Sequence, residues 1–65
     1  AERIAARIRQ EREARGWSLG ELARRTDIQP PNLSRLESGK HVPSLETLER
    51  VADALGVRLV DLVGT

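Results

Sequence analysis

Residues 19–28 read Leu-Gly-Glu-Leu-Ala-Arg-Arg-Thr-Asp-Ile, and residues 33–40 read Leu-Ser-Arg-Leu-Glu-Ser-Gly-Lys. Within each stretch the apolar residues recur three or four positions apart, which is the spacing of one face of an α-helix. Thr26-Asp27 interrupts the first pattern, and Ile28 restarts it. Two short helices joined by a sharp turn are therefore predicted, over about residues 19–25 and 30–38.

The same helical spacing continues on both sides of this pair. Ser18 and Ser44 stand directly before apolar stripes, where a serine side chain commonly caps a helix. Ser18 also precedes Glu21 by three residues, which is the spacing of a capping box. The stripe after Ser44 consists of Leu45, Leu48, Val51, Ala52 and Leu55, and that of the last helix of Leu59, Leu62 and Val63. We expect a compact all-α domain over residues 1–65, with five helices at about 2–15, 19–25, 30–38, 45–55 and 59–63.

Length and composition exclude several classes of protein. A chain of 65 residues has room for one small domain and little room for a deep catalytic pocket. It holds no cysteine and a single histidine, His41, which excludes thiolate and multi-histidine metal sites within it. Its apolar runs are too short to cross a membrane. We therefore expect a cytoplasmic protein that is not an enzyme and needs no metal or cofactor.

The charge is unevenly distributed along the chain. The whole sequence has a formal charge of +1. Residues 1–40 hold nine basic and six acidic side chains, or +3, whereas residues 41–65 hold two basic and four acidic ones, or −2. A basic first half suggests an anionic partner, although charged helical faces of this kind are often simply solvated.

The two stretches quoted above, together with the tail Pro43-Ser-Leu-Glu-Thr-Leu-Glu-Arg-Val-Ala-Asp-Ala-Leu-Gly-Val, resemble the phage Cro/repressor (XRE) family of helix-turn-helix proteins. The resemblance covers about residues 3–63. It implies a lambda-repressor-like fold of five helices whose third helix enters the DNA major groove, usually as a dimer. It also implies a salt bridge between Arg12 and Glu37. The chain departs from the family at the turn, where Asp27 stands in place of the usual glycine.

The third helix is expected to read the bases. Leu33 and Leu36 point inward, so residues 29–32 and Arg35 point out or sideways. The Arg35 guanidinium suits the guanine O6 and N7 acceptors, and the two prolines at the helix start replace polar side chains common in the family with apolar surface suited to a thymine methyl group. The predicted base-reading residues are Gln29, Pro31, Asn32 and Arg35.

Phosphate contacts are expected on both sides of this helix. Ser18 begins the second helix, where free backbone N–H groups and the helix dipole favour an anion. The loop after the third helix lies along the DNA backbone in the family. Trp17 is interpreted as a core residue packed against Leu22 rather than as a stacking residue. The predicted phosphate-binding residues are Ser18, Ser38, Lys40 and His41.

These patterns predict a transcriptional regulator that binds double-stranded DNA sequence-specifically. We expect a repressor of prokaryotic or phage type, cytoplasmic and nucleoid-associated, that occupies a two-fold operator as a homodimer through Val57 and Val60 of the last helix. Two alternatives stay open: a protein-interaction module on a helix-turn-helix scaffold, and an antitoxin- or controller-type regulator that binds both DNA and a partner protein.

Overall fold

Five amphipathic helices follow one another along the chain. The structure is a computed structural model that describes residues 2–40 and 42–64. Those residues contain no strand, and the predicted all-α, five-helix architecture is confirmed. Relative to the expected bounds, the first helix ends one residue earlier and the second one residue later. The helices are α1 (Glu2–Ala14), α2 (Leu19–Thr26), α3 (Pro30–Ser38), α4 (Leu45–Leu55) and α5 (Leu59–Val63).

Serine side chains cap the start of two helices, and a glycine ends a third. The Ser18 hydroxyl accepts a hydrogen bond from the Glu21 N–H at 3.1 Å, and the Ser44 hydroxyl accepts one from the Thr47 N–H at 3.2 Å. Each bond satisfies one of the donors that the first turn of a helix leaves free. Gly39 ends α3 in the left-handed region, at a φ of 74°, which a side chain would strain.

The core forms where the apolar stripes of the helices meet. α1 packs against α3, α4 and α5, and α2 packs against α3 and α4. Burying one such aliphatic side chain stabilises the fold by about 1.5–3 kcal/mol. The largest fully buried side chains come from all five helices: Ile8, Leu22, Leu33, Val51 and Leu62.

Two residues assigned to the buried stripes are exposed, which corrects the sequence analysis. Leu45 is 61% exposed and Val63 is 43% exposed. Leu45 is the first residue of α4 and Val63 the last of α5. A helical wheel places both residues on the apolar side of their helix. It does not show at which point along the helix the contacts with neighbouring helices end. Both residues lie beyond the packed part of their stripe.

Candidate nucleic-acid interface

One face of α3 is directed outward and is rich in hydrogen-bonding groups. Leu33 and Leu36 are buried, so the helix turns its opposite side to solvent. This division follows from the three-residue spacing of the two leucines. Every residue expected to read bases is on the open side: Gln29, Pro31, Asn32 and Arg35 are all exposed, as is Pro30.

The two prolines shape the start of this face. Pro30 and Pro31 occupy the first two positions of α3, where no intrahelical partner exists for an N–H group. The Gln29 carbonyl accepts the first helical hydrogen bond, from the Leu33 N–H at 3.0 Å. The Gln29 side chain makes no capping hydrogen bond, so its amide is not committed to the helix end. The first turn therefore presents two apolar rings beside one amide side chain.

A groove runs between α3 and the start of α4 and brings a further arginine to this face. The groove has a volume of about 380 Å³, and Gln29, Asn32 and Arg35 form one wall. Thr47 and Arg50 of α4 lie on the other side. Arg50 was not singled out from the sequence, because its helical pattern indicates only that it is exposed. Its loose pair with Glu46, at 3.9 Å, is a surface contact of little energy.

The turn between α2 and α3 holds the angle of the helix pair. Asp27 adopts the left-handed conformation at a φ of 61°, which aspartate tolerates better than most residues. The buried Thr26 hydroxyl donates to the Leu22 carbonyl at 2.8 Å and accepts from the Ile28 N–H at 3.3 Å. Thr26 thus supplies a turn-stabilising role that the sequence pattern did not reveal.

The start of α2 differs in one respect from the expected capping box. The Glu21 carboxylate does not accept the hydrogen bond from the Ser18 backbone N–H that a capping box requires. It accepts hydrogen bonds from Arg24 at 2.5 Å and Arg25 at 2.6 Å instead. These bonds, the Arg24 bond foremost, lower the pKa of Glu21. Two arginines so close in sequence compete for the carboxylate, which explains why only the Ser18 half of the box forms. Ser18 itself remains exposed at the end of the helix.

The end of α3 carries the other residues expected at phosphates. The Ser38 hydroxyl donates to the Arg35 carbonyl at 2.6 Å, so its proton is used within the helix. Donating to a phosphate would require this bond to break. Lys40 is exposed just beyond the helix. His41 lies outside the described residues.

A buried arginine joins α1 to both halves of the helix pair. Arg12 donates to the two carboxylate oxygens of Glu37 at 2.8 and 3.0 Å, and these side chains are only 13% and 8% exposed. Its remaining nitrogen donates to the Trp17 carbonyl at 2.8 Å, directly before the cap of α2. The hydrogen bonds to Glu37 raise the pKa of Arg12. One guanidinium therefore fixes the start of α2 relative to the end of α3.

Trp17 packs against the core and is covered by arginine. Its ring contacts the main cluster of buried residues. The Arg25 guanidinium lies 4.1 Å from the ring centroid, and that of Arg15 lies 5.8 Å from it. Cations at this distance from an indole are attracted to its face. The ring is thus occupied from within the chain, in line with its interpretation as a core residue.

Comparison with known proteins identifies the family. The family model described as Helix-turn-helix matches residues 8–62. The chain belongs to the helix-turn-helix family, in its Cro/repressor (XRE) type. The resemblance drawn from the sequence is therefore confirmed.

Relatives of this helix-turn-helix chain include regulators and a repressor. The HTH-type transcriptional regulator DdrOP3 of Deinococcus deserti is 39% identical over 61 residues, or 94% of this chain and 47% of that protein. The immunity repressor protein of Bacillus phage phi105 is 34% identical over 61 residues, or 94% of this chain and 42% of that protein. The chain thus spans about half the length, or less, of these relatives.

A solved structure shares the helix-turn-helix fold. A chain of the SinR protein/SinI protein complex superposes on this one with a TM-score of 0.88 at 35% identity. The match covers 94% of this chain and 60% of the other.

The last helix of the helix-turn-helix chain carries the apolar residues expected to meet a partner. Val60 is 53% exposed, as the sequence pattern predicts. Val57 is half-buried and packs against the core, so it offers less surface than expected. Val63, which the sequence analysis placed inside, is exposed beside Val60 on α5. The exposed apolar residues of α5 are therefore Val60 and Val63, whereas Val57 lies two residues before this helix and is half-buried.

Neither a side-chain cluster suited to a metal ion nor a membrane-spanning helix occurs in the described residues. Residues 2–40 and 42–64 contain no cluster of three or more histidine, cysteine or acidic side chains placed to hold a metal ion. Within the same ranges, no helix is both long and apolar enough to span a bilayer.

Proposed function

We propose that this helix-turn-helix chain binds double-stranded DNA sequence-specifically, with α3 in the major groove, and regulates transcription by occupying an operator. The exposed face of α3 supports this best, because it sets Gln29, Asn32 and Arg35 in one row with no structural task. Hydrogen-bonding side chains in a row on a helix match the pattern of donors and acceptors in the major groove. A repressor is the simplest form of the proposal, since a bound domain of this size acts by occupying its site.

Arg35 is the leading base reader in this proposal. It has no ion-pair partner among the described residues, and its fork of donors fits guanine O6 and N7. Asn32, one turn earlier, would pair with adenine or hold a phosphate. Pro31 would contact a thymine methyl group, and Gln29 would reach a base edge or the backbone.

Phosphate contacts would position this reading helix. Lys40 offers a mobile charge just beyond α3, and Ser18 marks the exposed N-terminus of α2 with its free N–H groups. Ser38 would serve only after releasing the Arg35 carbonyl. His41 stays a prediction from the sequence. The pair of Arg12 and Glu37 would act through α3, by fixing its angle relative to α2.

A dimer through α5 would supply the second half of the site. A single reading helix of this length contacts too few base pairs for strong specificity, and regulators of this type bind half-sites about one helical turn apart. Val60, joined by Val63 and by the exposed part of Val57, would form the two-fold contact. Such a regulator would act in the cytoplasm on the nucleoid, without a metal, a cofactor or a catalytic step.

Selection of bound sites from a random duplex library tests the proposal directly. We expect a two-fold consensus, and an affinity for the selected duplex that falls steeply with salt as bound counterions are released. Binding without a consensus would contradict sequence-specific reading by α3.

Protein interaction is the second candidate function, and the exposed valines of α5 favour it. In that case α5 would bind a partner protein, and α3 would not engage DNA. The absence of duplex binding at 50 mM salt would support this candidate over the first. An antitoxin- or controller-type regulator would bind the selected duplex and, through α5, a partner protein as well.

A further inference from the structure

Most basic side chains in the first forty residues are already neutralised by the chain itself. Five arginines each have a carboxylate oxygen within 4.0 Å: Arg7, Arg12, Arg15, Arg24 and Arg25. In the two described ranges, the side chains without such a partner are Arg3, Arg9, Arg35 and Lys40. The uncompensated positive charge is therefore carried by a small subset of these residues.

Three of these four residues lie on, just beyond or beside the C-terminal half of α3. Arg35 lies on that helix, and Lys40 follows its end by two residues. Arg9 comes from α1, yet it lines a groove of about 320 Å³ together with Ser38. Two small residues of α1, Ala5 and Ala6, line the same groove.

α1 and α3 approach each other closely beside this groove. A side chain on Gly39 would come within 3.1 Å of the Glu2 Cα atom, so a glycine is needed to let the end of α3 rest on the first turn of α1. This contact fixes Arg9, two turns further along α1, beside the end of α3. The position of Arg9 is thus set by the packing of α1 against α3.

No structural role in the described residues uses the charge of Arg9. Its side chain is exposed and makes no hydrogen bond or ion pair there. The Glu37 carboxylate belongs to the same groove, but both of its oxygens are engaged by Arg12. Glu2, the other carboxylate of the groove, has no basic nitrogen within 4.0 Å among the described residues. Arg9 is therefore free to meet an external anion.

We infer that Arg9 extends the DNA-binding surface onto α1, where its guanidinium binds a backbone phosphate of the duplex beside Ser38 and Lys40. The inference rests on the proposed DNA-binding function and adds a contact from outside the helix-turn-helix. A guanidinium matches the oxygens of a phosphate with two parallel hydrogen bonds. Such a contact carries no sequence information and strengthens binding to every duplex alike.

Arg3 provides a matched control on the same helix. It is also exposed and unpaired in the described residues, but it lies about 120° around α1 from Arg9 and lines a groove with Leu62 of α5. Arg9→Ala and Arg3→Ala therefore change the net charge equally. The affinity of each variant for the selected duplex is measured between 50 and 300 mM salt, after circular dichroism has verified the fold.

Arg9→Ala is expected to weaken binding at low salt and to lower the slope of log affinity against log salt by about 0.9. Arg3→Ala is expected to keep the wild-type slope, and Arg9→Lys to restore most of it. Glu2→Gln, which removes the negative charge from the same groove, is expected to tighten binding. Equal slopes for the Arg9→Ala and Arg3→Ala variants would overturn the inference while leaving the proposed function intact. Failure of the wild-type chain to bind any duplex would overturn both.

Discussion

The proposed function assigns Arg35 of α3 to bases and Lys40, just beyond that helix, to the DNA backbone. Arg35 sits in the middle of the exposed face, whereas Lys40 lies beyond the end of the helix. Both are unpaired within the described residues, so neither loses an internal contact when it binds DNA. Their roles are therefore separable by substitution.

Arg35→Ala is expected to cost about 1–3 kcal/mol of binding and to relax the preference at one base pair, because a bidentate contact to guanine is lost. Lys40→Ala should weaken all duplexes alike and lower the salt slope by about one. Titration of each variant against the selected duplex and its single-base variants measures both effects. Equal behaviour of the two variants would contradict the assignment of α3 as the reading helix.

Gly20 is a residue that the fold does not require. It lies in the first turn of α2, and a side chain there would meet only the Ser18 hydroxyl at an ordinary 3.8 Å. Gly20→Ala is expected to raise the free energy of unfolding by about 0.5–1 kcal/mol, because alanine favours the helix. We also expect weaker DNA binding, because a methyl group would stand where a phosphate approaches the backbone. Urea unfolding and duplex titration test this combination, and tighter binding would exclude close approach at Gly20.

At the scale of elements, one ion pair from α1 connects the start of α2 to the end of α3, in addition to the packing of α2 against α3. Arg12 and Glu37 are nearly buried, and Arg12 also reaches the residue before the α2 cap. Buried ion pairs add little net stability, but removing one partner leaves the other charge unpaired. The pair is therefore better understood as fixing geometry than as stabilising the chain.

Arg12→Met is expected to cost about 3–5 kcal/mol of stability, because the buried Glu37 carboxylate loses its partner. The double variant Arg12→Met with Glu37→Leu should recover much of this loss, since no buried charge remains. It should nevertheless bind the selected duplex less tightly than the wild type, because the start of α2 and the end of α3 are no longer joined. A double-mutant cycle by urea unfolding measures the coupling. Wild-type affinity in the folded double variant would contradict the positioning role.

For the whole molecule, the proposed dimer on DNA forms through the outward side of α5. Val60→Asp is expected to leave the stability nearly unchanged, because the side chain is already 53% exposed. It should abolish cooperative binding to a duplex with two half-sites, since the aspartates of the two copies would repel each other, while affinity for a single half-site is kept. Gel-shift titrations on one-site and two-site duplexes compare these cases. Retained cooperativity would place the dimer contact elsewhere.

Stability in acid depends on carboxylates spread over three helices. Hydrogen bonds, chiefly from Arg15, hold the pKa of Glu11 below its ordinary value. The pKa of Glu21 is lowered by Arg24, and that of Asp61 by the backbone N–H of Arg58. Because these pKa values are lower in the folded chain, the stabilisation is complete above the ordinary carboxylate value of about 4 and is lost as the pH falls through the folded values.

Urea unfolding at pH 7, 5, 4 and 3 checks this dependence. We expect little change between pH 7 and 5 from these groups, and a falling free energy of unfolding below about pH 4. The variant Glu11→Gln should show a smaller loss between pH 5 and 3 than the wild type. An equal free energy of unfolding at pH 3 and pH 7 would contradict the ion-pair assignments.

Much of the fold could be predicted because its determinants are local. Ser18, Ser44 and Gly39 mark helix ends through bonds and backbone angles within a few residues. The spacing of Leu33 and Leu36 alone indicates which side of α3 is left open. The exposed row on α3, formed by Gln29, Asn32 and Arg35, could therefore be predicted from the sequence, whereas the binding roles of these residues stay a prediction.

Other features depend on partners that are far apart in sequence, or on which of several neighbours a side chain contacts, and these become visible only when the helices are packed together. The sequence around Arg9 does not show that this residue of α1 lies beside Ser38, because that placement depends on how closely Gly39 lets α1 and α3 pack. The Glu21 carboxylate likewise accepts hydrogen bonds from Arg24 and Arg25 rather than completing the capping box of α2. The five helices and the open face of α3 could be predicted from the sequence, since they depend on periodicity and caps. Which charges remain unpaired, and which apolar residues stay exposed, depends on the arrangement of all helices together.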